Sequence, residues 1–155
     1  MREAYRLSQY SSDLDTQNGA VLVASGKIVA VGVNEIVKGV KRLPERIRRP
    51  LKYTFTVHAE EAAVLHAARI GKATSGLTLV CPYAACTGCA TSIITAGIVS
   101  VIRHKQCMDR MPERWRESVQ TADMMFQEAG VTVLDFDDEA IGECSQLFDG
   151  EVWHP

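Results

Sequence analysis

Hydrophobic positions along the chain follow two periods, and their alternation predicts the fold. Short apolar runs rich in Val and Ile, bounded by turn residues, are typical of buried strands. Longer stretches of helix-forming residues lie between them, and most of these end at a glycine, which favours a helix C-terminus. The predicted strands are residues 19–24, 28–33, 77–81, 98–102 and 131–136. The predicted helices are residues 3–10, 58–70, 86–96 and 113–129.

The order of these elements predicts an α/β architecture. Ser25-Gly26-Lys27 joins the first two strands and is a turn signal, so we expect an antiparallel hairpin there. Later strands alternate with single helices, which implies crossover connections and a parallel, buried arrangement. We therefore expect a three-layer α/β/α sandwich with a mixed five-stranded sheet, an antiparallel first hairpin and parallel later strands. Residues 34–56 form a long connection, which in a small domain is usually functional or mobile.

The length of 155 residues suits one compact domain with a sizeable core. We expect this domain to occupy residues 1–136, followed by an acidic extension, residues 137–155, that includes a helix. No apolar run approaches the roughly 20 residues of a membrane span, and the first residues do not form a secretory signal. We therefore expect a cytoplasmic protein with no membrane partner.

The net charge of −2 conceals an uneven distribution. Of the 17 Lys and Arg residues, six lie in residues 41–52 and five in residues 103–116, whereas the chain from Asp135 onward has seven acidic residues and no basic ones. Two basic segments beside an acidic tail favour a small anionic ligand over a long polyanion, which needs a broad basic face. The alternative is that these charges are merely solvated loop residues.

Potential metal ligands stand at the starts of two predicted helices. His58 opens one helix, and Cys86 with Cys89 opens the next, so both ligand sets fall at the same edge of a parallel sheet. One imidazole and two thiolates leave the fourth tetrahedral position of Zn²⁺ open, as a catalytic site requires. Glu60 lies in the first turn after His58 and can move a proton between water and a leaving group. A structural zinc site is the alternative, and a redox pair is the rival for the cysteines alone.

The motif His58-Ala59-Glu60 followed by Cys86-Thr87-Gly88-Cys89 resembles the zinc-binding pattern of the cytidine/deoxycytidylate deaminase superfamily. Gly19-Ala20-Val21 and Gly32-Val33-Asn34 also stand in the order of that family. One departure is Ala85, because the residue before the first cysteine is normally Pro. The difference concerns the shape of that loop and the selectivity for the base rather than zinc binding.

The resemblance implies a Zn²⁺ cofactor and the hydrolytic deamination of a nucleotide, with Glu60 as the proton shuttle. The long segment 34–56 is similar to the deoxycytidylate branch, whose substrates carry a 5′-phosphate, so dCMP to dUMP is the expected reaction. Glu35 stands where that branch often has Gly, so control by deoxynucleoside triphosphates is not implied. Homo-oligomers are common in the family, and we expect one here.

The resemblance also implies substrate contacts. Asn34 matches the family's sugar-contacting Asn, and the backbone around Ala59 and Ala84 is expected to flank the base. Asn18, before the first strand, is a candidate for the phosphate or sugar, with a turn role as the alternative.

Three further residues are candidates for substrate contacts from their positions alone. His104 follows a strand at the metal edge of the predicted sheet. Trp115 could stack on a base or could anchor its helix in the core. Arg110 is one of several candidates for the phosphate, because guanidinium groups bind phosphate well. The other candidates are Arg103, Lys105 and Arg114.

Two other functional classes stay open. A polynucleotide deaminase acting on tRNA adenosine or single-stranded DNA is disfavoured by the net negative charge and by an aromatic content of 6%, which argue against nucleic acid as a partner. A non-catalytic nucleotide-binding module is the other class.

Overall fold

The computed structural model describes residues 1–138 and 145–155. Six helices and nine strands are present in these two ranges, together with a short 3₁₀ helix at Pro44–Ile47. The helices are α1 (Arg2–Ser8), α2 (Lys52–Phe55), α3 (Ala59–Arg69), α4 (Thr87–Thr95), α5 (Lys105–Asp109) and α6 (Glu113–Glu128). The strands are β1 (Gly19–Ala24), β2 (Lys27–Val33), β3 (Glu35–Ile36), β4 (Thr56–Val57), β5 (Thr78–Val80), β6 (Ser100–His104), β7 (Thr132–Phe136), β8 (Gln146–Phe148) and β9 (Glu151–Trp153).

The central sheet has the strand order β2-β1-β5-β6-β7. Strand β1 pairs antiparallel with both β2 and β5, whereas β5, β6 and β7 run parallel to one another. The predicted mixed five-stranded sheet, with its antiparallel first hairpin and parallel later strands, is therefore confirmed. The carboxyl ends of β2, β5, β6 and β7 consequently share one edge, where ligands bind in open α/β sheets.

Helices cover both faces of the sheet. Helix α1 packs on β1 from one side, while α3, α4 and α6 form a contiguous layer on the other side. Helix α3 lies very close to β2, because a Cβ atom at Gly32 would come within 2.3 Å of the Ala59 carbonyl oxygen and the Ala63 nitrogen. Small residues on both elements thus fix the start of α3, which carries the first predicted metal ligand.

The main core lies between the sheet and the layer of α3, α4 and α6. Its large buried side chains are Leu22, Leu79, Ile93, Ile98, Val101 and Phe126. A second cluster, formed by Tyr5, Cys107, Phe148 and Trp153, joins α1 and α5 to the C-terminal strands.

The segment 34–56 contains more structure than the sequence indicated. Strand β3 pairs with β4 through Glu35↔Val57 and Ile36↔Thr56, which returns the chain to the start of α3. The residues between them include the 3₁₀ helix and α2. Two-residue strands are too short for the hydrophobic period to reveal, and pairing across the long connection was not visible in the sequence.

The C-terminal segment differs from the expected acidic extension with a helix. Residues 139–144 lie outside the described residues, and in the described part β8 and β9 form a hairpin instead. The turn is Asp149-Gly150, with φ of 51° and 90°, the left-handed conformation that a two-residue hairpin loop requires. This Asp-Gly signal was missed because the acidic residues suggested a solvated tail. The division of the chain after residue 136 stays a prediction.

None of the helices in residues 1–138 and 145–155 is both long and apolar enough to cross a membrane.

Candidate metal centre and active site

Three predicted metal ligands lie together at the carboxyl edge of the sheet. His58 precedes α3, Cys86 precedes α4, and Cys89 lies in the first turn of α4. The His58 Nδ1 atom is 3.4 Å from the sulfur of Cys86 and 3.4 Å from the sulfur of Cys89. All three ligand atoms lie within 4.8 Å of one another. We refer to these three residues as the metal group.

The spacing of the metal group fits zinc. With a Zn–N bond of about 2.0 Å and a Zn–S bond of about 2.3 Å, the N···S edge of a tetrahedral site is about 3.5 Å long. The two observed distances from His58 Nδ1 match that edge. One nitrogen and two sulfur donors also suit a borderline-soft ion such as Zn²⁺ and leave one coordination position open.

The protonation of the metal group in the metal-free protein follows from its hydrogen bonds. Hydrogen bonds from Cys89 and His58 lower the pKa of Cys86 to about 3, whereas the shared hydrogen bond and burial raise the pKa of Cys89. The hydrogen bond to Cys86 raises the pKa of His58 to about 9. Zinc binding would release protons from this group, because the metal binds thiolates and a neutral imidazole.

Glu60 lies in the first turn of α3 beside the metal group. Its side chain is only 3% exposed and lines a cavity, and burial raises the pKa of Glu60 to about 7. A divalent cation at the metal group would oppose this rise, because a nearby positive charge favours the carboxylate. A buried carboxyl group with its pKa near neutrality can both accept and deliver a proton, as a general acid–base group must.

The cavity that contains Glu60 has a volume of about 130 Å³. His58, Ala59, Glu60 and Cys86 contribute to its lining, so the open coordination position of a bound zinc would face this space. Trp115 lines the same cavity, and its ring lies 5.8 Å from the His58 ring in an edge-to-face arrangement. The cavity is therefore lined by two of the candidate metal ligands, a buried carboxyl group and an aromatic ring.

Five of the expected substrate-binding residues line this cavity. They are Asn18, Asn34, Ala59, Ala84 and Trp115. The Asn34 side chain also has internal partners: its Oδ1 accepts from the Asn18 N–H at 2.7 Å, and its Nδ2 donates to the Thr16 carbonyl at 2.7 Å. Asn34 therefore holds the loop before β1 in place while one side of it faces the cavity.

Two expected substrate contacts are corrected by their placement. Neither His104 nor Arg110 is among the described residues that line the cavity. His104 is fully buried, with the Tyr5 hydroxyl 2.5 Å from its Nδ1, and the Arg110 guanidinium lies over the Trp153 ring at 5.4 Å. The chain turns into α5 directly after β6, which directs both side chains away from the cavity towards the second core cluster.

The other two cationic candidates that lie outside the cavity are paired with acidic side chains. Arg103 contacts Asp123 and Asp135, and Lys105 contacts Asp109. Of the four phosphate candidates, only Arg114 lines the cavity.

Several cavity residues were missed by sequence reasoning. Arg49 and Lys52 come from the basic segment 41–52, and Phe148 comes from the C-terminal hairpin. The density of basic residues indicated an anion site in that segment but could not distinguish these two cations from their exposed neighbours. The remaining missed residues include Asp13, Thr16, Tyr53 and Tyr83.

A family model and a sequence relative both match this chain. The family model for the cytidine and deoxycytidylate deaminase zinc-binding region matches residues 1–105. A protein of Aliivibrio fischeri, described as an uncharacterized deaminase in the luxG 3′ region, is 37% identical over 127 residues, covering 82% of this chain and 84% of that protein.

Two solved structures have a fold similar to that of this chain. The dCMP deaminase of cyanophage S-TIM5, in complex with dCMP and dUMP, has a TM-score of 0.70 and 25% identity, covering 87% of this chain and 92% of that chain. A diaminohydroxyphosphoribosylaminopyrimidine deaminase/reductase of Thermotoga maritima shares the fold, with a TM-score of 0.62 at 22% identity over 87% of this chain and 34% of that chain. The chain therefore belongs to the cytidine and deoxycytidylate deaminase family.

Proposed function

We propose that this protein hydrolytically deaminates a cytosine mononucleotide, converting dCMP to dUMP and ammonia. The observation that carries the proposal is one cavity lined by His58 and Cys86 of the metal group, by Glu60, and by two arginines, Arg49 and Arg114. We call these two residues the arginine pair. The base that is to be deaminated and the anionic phosphate thus each have a chemically suitable partner within the same cavity.

The chemistry is divided among the residues of this cavity. His58, Cys86 and Cys89 would hold zinc, which when bound supplies an activated water for attack on the amino-bearing carbon of the base. Glu60 takes a proton from the water and delivers it to the leaving amine. The backbone around Ala59 and Ala84 flanks the base, and Trp115 provides an aromatic wall for it.

The substrate class is supported by charge and by similarity. The arginine pair suits a phosphate, since guanidinium groups bind phosphate oxygens in a bidentate manner. The cyanophage dCMP deaminase, which has been solved with dCMP and dUMP, has the similar fold given above. A homo-oligomeric state, which the family resemblance implies, stays a prediction that light scattering would test.

Ammonia release from a panel of substrates tests the proposal. Zinc-loaded protein is incubated with dCMP, CMP, deoxycytidine, cytidine, dCTP, a cytosine-containing oligonucleotide and tRNA. We expect the highest kcat/KM for dCMP, and Glu60→Gln, as the control, should lower kcat by about 10² to 10⁴ or more. Absence of turnover on all cytosine substrates, or a preference for the unphosphorylated nucleosides, would contradict the proposal, and turnover of the oligonucleotide or tRNA alone would establish the polynucleotide alternative.

A further inference from the structure

The arginine pair already holds an anion that belongs to the protein itself. Asp149, at the tip of the β8–β9 hairpin, accepts hydrogen bonds from Nη2 of Arg49 and from Nη2 of Arg114 through the same carboxylate oxygen. Its second oxygen accepts from Nη1 of Arg114 at 3.1 Å. One carboxylate therefore bridges the two guanidinium groups that line the cavity.

The backbone holds Asp149 in this position independently of the arginines. The Asp149 N–H donates to Oγ1 of Thr16 at 3.0 Å, and the Gly150 N–H donates to the carbonyl of Asp15 at 2.7 Å. The left-handed turn conformation further fixes where the side chain leaves the hairpin. The hairpin thus delivers a carboxylate to the arginine pair as a consequence of the fold.

The third cation of the cavity has a different environment. Lys52 is paired with Asp13 at 2.8 Å and Asp15 at 2.7 Å, and the Lys52 and Asp13 side chains are only 6% and 7% exposed. By contrast, Arg49, Arg114 and Asp149 have side chains that are 36%, 38% and 32% exposed. Asp15 joins the two sets, because it is 32% exposed and its Oδ2 also lies 3.4 Å from Nε of Arg49. Water reaches the arginine pair and Asp149, and partly exposed ion pairs are weak. Their hydrogen bonds therefore exchange with other ions much more readily than the buried Lys52–Asp13 pair does.

An incoming phosphate must therefore compete with Asp149. The carboxylate is ionised at neutral pH, because hydrogen bonds from Arg114 and Arg49 lower the pKa of Asp149. A phosphate monoester brings nearly two negative charges and three acceptor oxygens, whereas Asp149 brings one charge and two oxygens. A neutral nucleoside brings nothing that can replace the carboxylate.

We propose that Asp149 is an internal counter-ion in the phosphate subsite, which the phosphate monoester of the substrate replaces on the arginine pair. Asp149 is then a specificity-determining residue, because it sets how strongly a ligand must be charged to engage the two arginines. The inference rests on the proposed function for the identity of the anion as a nucleotide phosphate.

The variant Asp149→Asn tests the inference with little change in shape. Asn has the same size as Asp and also tolerates the left-handed conformation of the turn, so the substitution removes chiefly the negative charge. The matched control is Asp135→Asn, which removes the same charge from the Arg103–Asp135 pair outside the cavity. Circular dichroism and thermal melts of both variants establish that the fold is retained.

The measurement is the Kd of inorganic phosphate and of dUMP, the proposed product, by isothermal titration calorimetry at about pH 8, where a phosphate monoester is a dianion. We expect Asp149→Asn to lower both Kd values about three- to tenfold, as expected for removing a competitor from two partly exposed ion pairs. Asp135→Asn should leave both values at those of the wild type. Arg114→Gln should raise both.

A weaker or unchanged phosphate affinity in Asp149→Asn would overturn the inference, because the carboxylate would then orient the arginines rather than compete for them. Equal tightening by Asp135→Asn would also overturn it, since the effect would reflect net charge alone. The binding experiment does not depend on turnover. Tighter phosphate binding without deamination of any nucleotide would contradict the proposed function and leave the subsite standing, whereas dCMP turnover with an unchanged Kd would contradict the inference alone.

Discussion

His58 and Cys86 of the metal group line the same cavity as the arginine pair, but the two groups are built in opposite ways. The metal group comes from the starts of two successive helices, and Cys89 is 2% exposed. The arginine pair comes from a loop before α2 and from the first turn of α6, and its bridging carboxylate comes from a hairpin near the end of the chain. The first assembly is local and more buried, with His58 and Cys86 half-buried beside the buried Cys89, and the second is tertiary and more exposed to water.

This difference matches the role that the proposed function gives to each group. Proton transfer and metal ligation require fixed distances, which rigid helix ends and burial provide. Recognition of a charged group tolerates some movement and gains from partners that exchange with solvent ions. We therefore expect substitutions in the metal group to remove activity and those in the arginine pair to tune it.

The largest effect is expected when a metal ligand is lost. Cys89→Ser should lose zinc and all measurable turnover, because a hydroxyl group is a poor ligand compared with a thiolate. The zinc content by atomic absorption and the rate of ammonia release measure this. Cys107→Ser is the matched control, since Cys107 is also buried and near the cavity but lies outside the metal group, and it should retain zinc. Full zinc occupancy in Cys89→Ser would show that the metal is held elsewhere.

The second-largest effect distinguishes zinc binding from proton transfer beside the metal group. Glu60→Gln should retain zinc but lower kcat by about 10² to 10⁴ or more, the range expected when a general acid–base group is lost. The Gln side chain has nearly the same size as that of Glu, so KM should change much less than kcat. Turnover near that of the wild type would show that another group transfers the proton.

The third effect belongs to the arginine pair and should appear mainly in KM. Arg114→Gln should raise KM for dCMP about tenfold, the equivalent of roughly 1.4 kcal/mol for a charge-assisted contact, while zinc content stays unchanged. Arg116→Gln removes the same charge two residues later, where Arg116 pairs with Glu113 on the surface, and should leave KM unchanged. If both variants raised KM equally, the effect would be long-range electrostatics rather than a contact.

Sequence reasoning identified the metal group because its signal is local. His58 and Glu60 are two residues apart, Cys86 and Cys89 three apart, and both motifs begin helices that the sequence predicts. The alternation of strands and helices then placed both motifs at one edge of the sheet. The five strands were predictable because each carries its own hydrophobic pattern, and the antiparallel first hairpin and parallel later strands followed from the turn and from the single helices between strands.

The arginine pair was not predictable because no local pattern joins its members. Arg49 is one of six cations in residues 41–52, and only the pairing of β3 with β4 brings this segment back to the cavity. Asp149 lies 100 positions further along the chain, in a segment whose charge suggested a tail. His104 shows the reverse case. The sequence predicts it just after a strand that ends at residue 102, whereas it is the last residue of β6, and the orientation of its side chain depends on α5, a five-residue helix without a clear period.

The smallest expected effect tests this corrected placement of His104. Burial lowers the pKa of His104 from its ordinary value of 6.5, against a hydrogen bond with the backbone of Asp138 and the charges of Asp137 and Asp138. Burial also raises the pKa of Tyr5, so its hydroxyl beside the imidazole stays protonated. The unfolded chain therefore binds the proton more tightly than the folded protein. The free energy of unfolding should be largest above about pH 6.5 and should fall as the pH decreases, by up to about 1.4 kcal/mol per pH unit for one proton.

Urea denaturation of the wild type and of His104→Gln between about pH 7.5 and 5.5 measures this slope. His104→Gln should have a shallower slope than the wild type, because the other titrating groups are common to both proteins and cancel in the difference. Its KM for dCMP should equal that of the wild type, since His104 belongs to neither the metal group nor the arginine pair. Equal slopes together with a raised KM would instead place the imidazole in contact with the substrate. The active site would then include a residue of β6 in addition to the metal group and the arginine pair.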